Sequence, residues 1–221
     1  MSEPDHSTSS NKRDPTLSRL DIFIDAAFAF AITMLVISVD DIPGSYDELI
    51  IALKGIPAFA ASFALIMYVW WSHRRWSELT EQHDAVSTVI TLLLMFVVLV
   101  FVYPLKIMAL AFLFYLSRGW LQPPPIDFNA TQMIDLFVMY GIGFGVTSLC
   151  LLVLFRRTAK KEQSSVARVE ARGWAIMAAT SAVSTIWALA LPPQFAVFAG
   201  FAYATLAITM PLNGHFATRS A

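Results

Sequence analysis

The 221-residue sequence predicts an all-α integral membrane protein with six transmembrane helices. Hydrophobic residues make up 57% of the chain and charged residues only 14%, whereas charged residues make up about a quarter of a typical soluble domain. Apolar segments of about 20 residues, the length that a helix needs to cross a bilayer, recur along the chain. The net charge of −1 gives no reason to expect a nucleic-acid partner. These observations exclude the soluble globular class.

The six predicted spans follow one another without a soluble domain between them. They cover residues 20–39, 49–72, 86–106, 131–155, 173–191 and 195–212. We expect residues 1–18 to form a disordered cytoplasmic tail, residues 19–212 a six-helix transmembrane domain, and residues 213–221 a short cytoplasmic tail. The apolar stretch after Pro104 allows two interpretations, since residues 107–120 could form an interfacial helix or continue a span kinked at that proline.

Basic residues predict the orientation of the chain, because Lys and Arg near span ends resist translocation. Twelve of the 15 basic residues fall on one side of a six-span topology, which predicts that both termini are cytoplasmic. These residues are Lys12, Arg13, Arg19, Arg74, Arg75, Arg156, Arg157, Lys160, Lys161, Arg168, Arg172 and Arg219. Lys106 falls on the other side, where its long side chain is expected to reach the membrane interface.

The first span, Arg19–Val39, carries a carboxylate, Asp25, within its apolar sequence. An acidic residue at the centre of a spanning helix costs roughly 2.5 to 3.5 kcal/mol, so such a residue usually faces protein or water and has a partner. A helical wheel places Asp25 opposite a mostly apolar stripe, which predicts that the acid is buried against its own subunit. The stripe contains Phe23, Ala26, Phe30, Thr33, Met34 and Ile37. Ordinary helix packing is the simpler explanation of such a stripe.

The end of the second span offers partners for Asp25. In an antiparallel pair of spans, the indole N–H of Trp70 or the imidazole of His73 would lie at the depth of this carboxylate. A belt of interfacial aromatic residues with neighbouring arginines explains the same sequence equally well. The choice between these explanations depends on whether Asp25 and the Trp70–His73 segment meet in the fold.

Catalytic and cofactor-binding motifs do not occur in the sequence, and we expect neither an enzyme nor a cofactor. A possible metal cluster at Glu78, Glu81, His83 and Asp84 lies on a polar connection, where a solvated helix end is the better interpretation. No metal site is therefore predicted. The single cysteine, Cys150, lies in an apolar segment and excludes an intrachain disulfide.

The order of the polar residues resembles the transmembrane protein 175 family of potassium channels. The resemblance covers roughly residues 19–106, and the later spans match only as apolar helices. The first helix of that family carries an R-x-x-x-F-S-D motif, its second helix ends in W-x-x-H, and its third has an element like Pro-Phe. The corresponding residues here are Arg19, Phe23, Ile24, Asp25, Thr33, Ser62, Phe63, Trp70, His73, Tyr103 and Pro104.

The resemblance implies a homotetramer in the plasma membrane of a prokaryote, conducting K⁺ or other monovalent cations through a central pore lined by the first helix of each subunit. It implies that Phe30 forms the constriction and that Thr33, Met34 and Ile37 line the layers beyond it. The residues implied to pack the helices behind the pore are Arg19, Phe23, Asp25, Trp70 and His73. Four hydrophobic stripes around one axis would form a narrow neck that blocks ions by dewetting unless it widens.

Two positions depart from the family pattern and one pair of acids extends it. Ile24 replaces the serine of the motif, and Phe30 stands where the family usually has isoleucine, so ion preference and conduction can differ. Asp40 and Asp41 would concentrate cations at the outer mouth, although a solvated loop explains them equally well. Besides a cation channel, a proton-coupled carrier or proton leak using Asp25 and His73 and a non-conducting membrane scaffold remain open.

Overall fold

A computed structural model describes residues 15–37, 43–80, 84–192 and 197–205, and every regular element within these ranges is helical. Six α-helices and one 3₁₀ helix make up the described chain. They are α1 (Pro15–Ile37), α2 (Tyr46–Lys54), α3 (Ile56–Glu78), α4 (Ala85–Leu116), α5 (Ala130–Lys161), α6 (Ser165–Ala190) and the 3₁₀ helix Val197–Thr205. The all-α class predicted from composition is therefore confirmed.

Five segments of the described chain are long and apolar enough to cross a membrane. These segments are Arg19–Ile37, Tyr46–Glu78, Ala85–Leu116, Ala130–Lys161 and Ser165–Ala190. They correspond to the first five predicted spans. Most of the sixth, at 195–212, lies outside the described residues, and its described part forms the 3₁₀ helix.

The ends of the chain lie largely outside the described residues, which include neither 1–14 nor 213–221. The first helix begins at Pro15, four residues before the predicted start of the transmembrane domain at Arg19. Proline is well suited to the first turn of a helix because the amide at that position has no partner within the helix.

The second predicted span consists of two helices, α2 and α3, which meet at Gly55. The Gly55 amide donates to the carbonyl of Ala52, three residues back, so the last turn of α2 is tightened. Pro57, at the start of α3, has no amide hydrogen to donate, which favours a helix break directly before it. The sequence predicts a single span here, whereas the structure has a break between two helices.

The fourth helix continues through Pro104 to Leu116, which decides between the two interpretations of residues 107–120 in favour of a continued helix. The prediction that Lys106 reaches the membrane interface is wrong, because only 9% of this residue is exposed. The physical reason is helical periodicity: Lys106 shares the inward face of α4 with Val102 and Leu110, and all three are buried.

Small residues allow α4, α5 and α6 to pack closely around the core of the molecule. A Cβ atom added at Gly141 of α5 would lie 2.0 Å from the Thr185 hydroxyl of α6, and one at Gly143 would lie 2.3 Å from the Phe101 ring of α4. Glycine is therefore required at both contacts. The helix α5 packs against α6 along its length and against α3 and α4, and the main hydrophobic core extends from this packing to α1.

Candidate functional site

One face of α1 belongs to the hydrophobic core of the chain. Ile24, Phe28, Ala31 and Leu35 are buried there, at the spacing of three and four residues that one helix face requires. Ile24 is the residue that departs from the family motif. Its position on the buried face explains why an apolar side chain is accommodated where the family has a hydroxyl.

The predicted pore stripe lies away from that core. Phe23, Phe30 and Ile37 are 57%, 56% and 67% exposed in the single chain, and Ala26 and Thr33 are exposed with them. Met34 differs, because it is partly buried and packs against the core. Five of the six stripe residues therefore form a largely apolar surface that the rest of the described chain leaves uncovered.

The hydroxyl of Thr33 donates a hydrogen bond to the Ala29 carbonyl within α1, with 2.9 Å between the oxygens. This bond uses the only proton of the hydroxyl, and the lone pairs of the same oxygen remain capable of accepting. An oxygen of this kind on an exposed helix face can contact a cation or a water molecule.

Asp25 has the partner that the sequence suggested, but the predicted burial is wrong. The indole N–H of Trp70 on α3 donates to Asp25 Oδ1 at 2.8 Å, and the carboxylate remains exposed in the single chain. The core face of α1 is centred on Ile24 and Phe28, so Asp25 lies about a quarter of a turn from its centre. The acid is therefore held at the edge of the α1–α3 contact and not inside it.

His73, the other candidate partner, is buried and lies 3.2 Å from the Thr91 hydroxyl of α4. Its ring also contacts Trp76 one turn along α3, with 5.2 Å between ring centroids. His73 and Asp25 nevertheless border one cavity of about 210 Å³ between α1 and α3. The cavity is lined by Asp21, Ile24, Asp25, His73, Arg74, Ser77 and Glu78.

A second polar contact joins α1 to α3 beside this cavity, since the Ser77 hydroxyl donates to Asp21 at 3.0 Å. Arg74 lies over the Trp70 ring, 5.6 Å from its centroid, and also pairs with Glu78. Arg19 is exposed at the start of this region. Of the predicted motif network, Asp25, Trp70 and His73 are brought together around the α1–α3 contact, whereas Phe23 lies on the exposed stripe.

Sequence reasoning missed a buried contact between α3 and α5. Trp76 is 1% exposed, and its indole N–H donates to the Thr158 hydroxyl at 2.9 Å. The Thr80 hydroxyl is hydrogen-bonded to the same Thr158 hydroxyl, with 2.7 Å between the two oxygens. A tryptophan three residues after His73 falls on nearly the same helix face, which is the signal that could have indicated burial.

Asp84 was interpreted as part of a solvated helix end, but it is the N-cap of α4 and binds two basic residues of α5. Its carboxylate accepts from the Ser87 amide at 2.9 Å, from Lys161 at 3.1 Å and from Arg157. The hydrogen bonds from Ser87, then those from Lys161 and Arg157, lower the pKa of Asp84, and partial desolvation opposes them. An aspartate directly before an apolar run is a recognised helix-start signal.

We expect Asp84→Asn to lower stability at neutral pH by about 1 kcal/mol, since asparagine keeps the cap and loses the charge. The folded-state pKa lies below the ordinary 3.8, so the carboxylate stabilises the fold above that pH and loses this effect as pH falls through the lowered value. Thermal unfolding in detergent should show a difference from the unmodified protein that is constant near pH 7 and shrinks below about pH 4. Asp127→Asn, in the loop before α5, is the control; a difference independent of pH would contradict the assignment.

Four candidate site residues lie outside the described residues. They are Asp40 and Asp41, the proposed outer-mouth acids, and Glu81 and His83 of the possible metal cluster. Among the residues that the structure describes, no group of three or more histidine, cysteine or acidic side chains has the arrangement of a metal site.

Part of the sequence matches a known family. Residues 19–102 match the family model of the endosomal/lysosomal potassium channel TMEM175. A protein of Marivirga tractuosa described as a potassium channel is 38% identical over 149 residues, which is 65% of this chain and 60% of that protein. The match thus spans less than two thirds of the length of this curated relative.

Solved structures show the same fold. A crystal structure of a variant of the potassium channel MtTMEM175, in complex with a nanobody–MBP fusion, superposes with a TM-score of 0.74 at 24% identity, covering 99% of this chain and 100% of that one. A homologue of the lysosomal potassium-selective channel TMEM175 from Chamaesiphon minutus gives a TM-score of 0.62 at 19% identity, covering 90% and 99%. These proteins are named as channels and not as enzymes, in agreement with the absence of catalytic motifs. This chain is therefore similar to TMEM175 channels in sequence over residues 19–102 and shares the fold of their solved structures.

Proposed function

We propose that this chain is a cation channel of the potassium type, with a pore lined by the exposed stripe of α1. The observation that carries the proposal is the division of α1 into a core face and an uncovered face with Phe30, Thr33 and Ile37. In a homotetramer, four such faces would surround one axis. The match of residues 19–102 to the TMEM175 family model supports the same arrangement.

The chemistry of the stripe suits a gated passage for monovalent cations. Phe30 is the bulkiest side chain near the middle of the stripe, and four copies would form a hydrophobic neck that excludes water and ions when narrow. Thr33, one turn further along, would supply a ring of hydroxyl oxygens able to replace part of the hydration shell of a cation. Asp40 and Asp41, three to four residues beyond Ile37, would add negative charge at the mouth.

The proposed setting is the plasma membrane of a prokaryote, with both termini cytoplasmic. The charge distribution supports this orientation, because basic residues near the spans accumulate on the side that holds the α5–α6 connection. The relatives from Marivirga tractuosa and Chamaesiphon minutus support a prokaryotic location.

A proton pathway is the second candidate, because Asp25 and His73 border the same cavity of about 210 Å³. A carboxylate and an imidazole that share a polar cavity can exchange protons through water. This pathway would lie between α1 and α3 and would not use the stripe. It therefore makes a different prediction for substitutions at Asp25.

We expect the purified protein to have the mass of a tetramer in detergent and to carry K⁺ into liposomes with a fluorescent flux readout. The physical reason is that the stripe can enclose a pore only when several copies meet. A monomeric or dimeric mass would contradict the central pore. A folded tetramer that carries no ion would support the scaffold.

Asp25→Asn separates the two conducting candidates. If the stripe carries the flux, K⁺ entry should persist in Asp25→Asn, since the amide oxygen still accepts from Trp70. Loss of a pH-driven proton flux in this variant, with K⁺ entry absent from the unmodified protein, would favour the proton pathway.

A further inference from the structure

The connected end of the α5–α6 hairpin, which we call the hairpin end, carries six basic residues. Within the described chain, two of them form ion pairs with an acid, and four do not. Arg157 and Lys161 are held by Asp84, and the acid Glu170 is occupied by Arg75 of α3 at 2.8 Å. Four others are exposed, and none of the ion pairs found among the described residues includes them. These are Arg156 and Lys160 on α5 and Arg168 and Arg172 on α6.

The register of the hairpin brings the four exposed cations within about two helical turns of one another. Gly145 meets Ser181, and Gly141 meets Thr185. From these contacts toward the α5–α6 connection, the two helices run in register, so Arg156 lies between Arg168 and Arg172 along the axis of the hairpin. Lys160 follows one turn closer to the connection.

The four cations also lie on one side of the hairpin. At about 100° per residue, the exposed side of α5 is turned roughly a quarter of a turn from the side that contacts α6. The exposed side of α6 is turned by about a third of a turn in the same sense along its own axis. Because the helices are antiparallel, equal senses of rotation about their own axes turn both exposed surfaces to the same side of the hairpin.

An apolar surface leads directly to these cations. On α5 the exposed stripe continues from Arg156 through Val153 and Leu149, and on α6 it continues from Arg172 to Val183 and Ile186. Both helices are long and apolar enough to span the membrane, so this surface is suited to contact acyl chains. If both helices span the bilayer, the charged end of this surface lies at the depth of the phospholipid headgroups.

We propose that the hairpin end binds the headgroup of an anionic phospholipid through Arg156, Lys160, Arg168 and Arg172. The cations would pair with the phosphate and the negative headgroup, while the acyl chains lie along the apolar stripe. Glu170 does not oppose this binding, because Arg75 occupies it on another side of α6. A free phosphate would use the cations alone, whereas a phospholipid uses both parts of the surface.

The test is native mass spectrometry of the intact protein in detergent with added phosphatidylglycerol or phosphatidylcholine. The unmodified protein should retain phosphatidylglycerol in preference to phosphatidylcholine. The double variant Arg156→Gln/Arg172→Gln should lose about thirtyfold in affinity for phosphatidylglycerol, because each cation near a headgroup contributes separately. Its affinity for phosphatidylcholine should remain unchanged.

The matched control removes two cations from the other end of the molecule. Lys54→Gln/Arg118→Gln should keep the affinity of the unmodified protein for phosphatidylglycerol. If Arg156→Gln/Arg172→Gln does not fold, Lys160→Gln/Arg168→Gln tests the same surface. Equal losses in the control, no preference in the unmodified protein, or complete displacement of the lipid by millimolar inorganic phosphate would each overturn the proposal.

Discussion

Phe30→Ala is expected to raise the K⁺ flux of reconstituted protein by at least about tenfold, because it removes the rings that would close a hydrophobic neck. Phe30 is 56% exposed in the single chain, so the substitution should cost the fold little. The measurement is the initial rate of K⁺ entry into liposomes, normalised to the amount of folded protein.

The control for this experiment is Phe96→Ala, which removes the same side chain from an exposed position on α4. Phe96 belongs to no part of the proposed pore, so its removal should leave the flux unchanged. Equal fluxes for Phe30→Ala and the unmodified protein would contradict a constriction at Phe30. Equal increases in both variants would indicate a general effect on the membrane-embedded fold.

Trp76→Ala is expected to lower the free energy of unfolding by about 3 to 5 kcal/mol, the range found when a large buried aromatic side chain is truncated. The substitution removes an indole that is 1% exposed and takes away one of the two hydrogen-bond partners of the Thr158 hydroxyl, leaving Thr80. Chemical unfolding in mild detergent, followed by near-ultraviolet circular dichroism, measures the loss.

Trp71→Ala is the matched control, because this tryptophan is on the same helix but is 46% exposed. It contacts Arg75 through its ring, so a small loss is expected. A loss as large as that of Trp76→Ala would show that truncating any tryptophan of α3 destabilises the protein. The difference between the variants therefore isolates the α3–α5 contact.

Hydropathy predicted six spans, and the first five correspond to long apolar helices in the described chain, because a bilayer demands a nearly fixed length of apolar helix. It could not place the break at Gly55, since α2 and α3 are both apolar and only the backbone before Pro57 separates them. It also misplaced Lys106, because charge alone suggested an interface whereas the continuous α4 carries this residue inward.

For the candidate site, too, some features could be predicted from the sequence of α1 and others depended on how α1 packs. Of the stripe that the periodicity of α1 defines, Phe30 and Thr33 are exposed whereas Met34 packs against the core. The indole of Trp70 donates to Asp25, as the depth of Trp70 suggested. The exposure of Asp25 was not predicted, because a wheel for one helix does not state which face meets the neighbours. The assignment of the stripe to a pore stays a prediction.

The sequence by itself determined that this protein is a helical membrane protein and which residues of α1 share a face, since both follow from composition and from helical periodicity. Only the tertiary structure decided that Trp76 meets Thr158 and that Asp84 meets Arg157. These partners are separated by 82 and 73 residues, and no local pattern encodes such a pairing. The physical reason is that packing of α5 against the other helices, and not the propensity of any one segment, brings these side chains together.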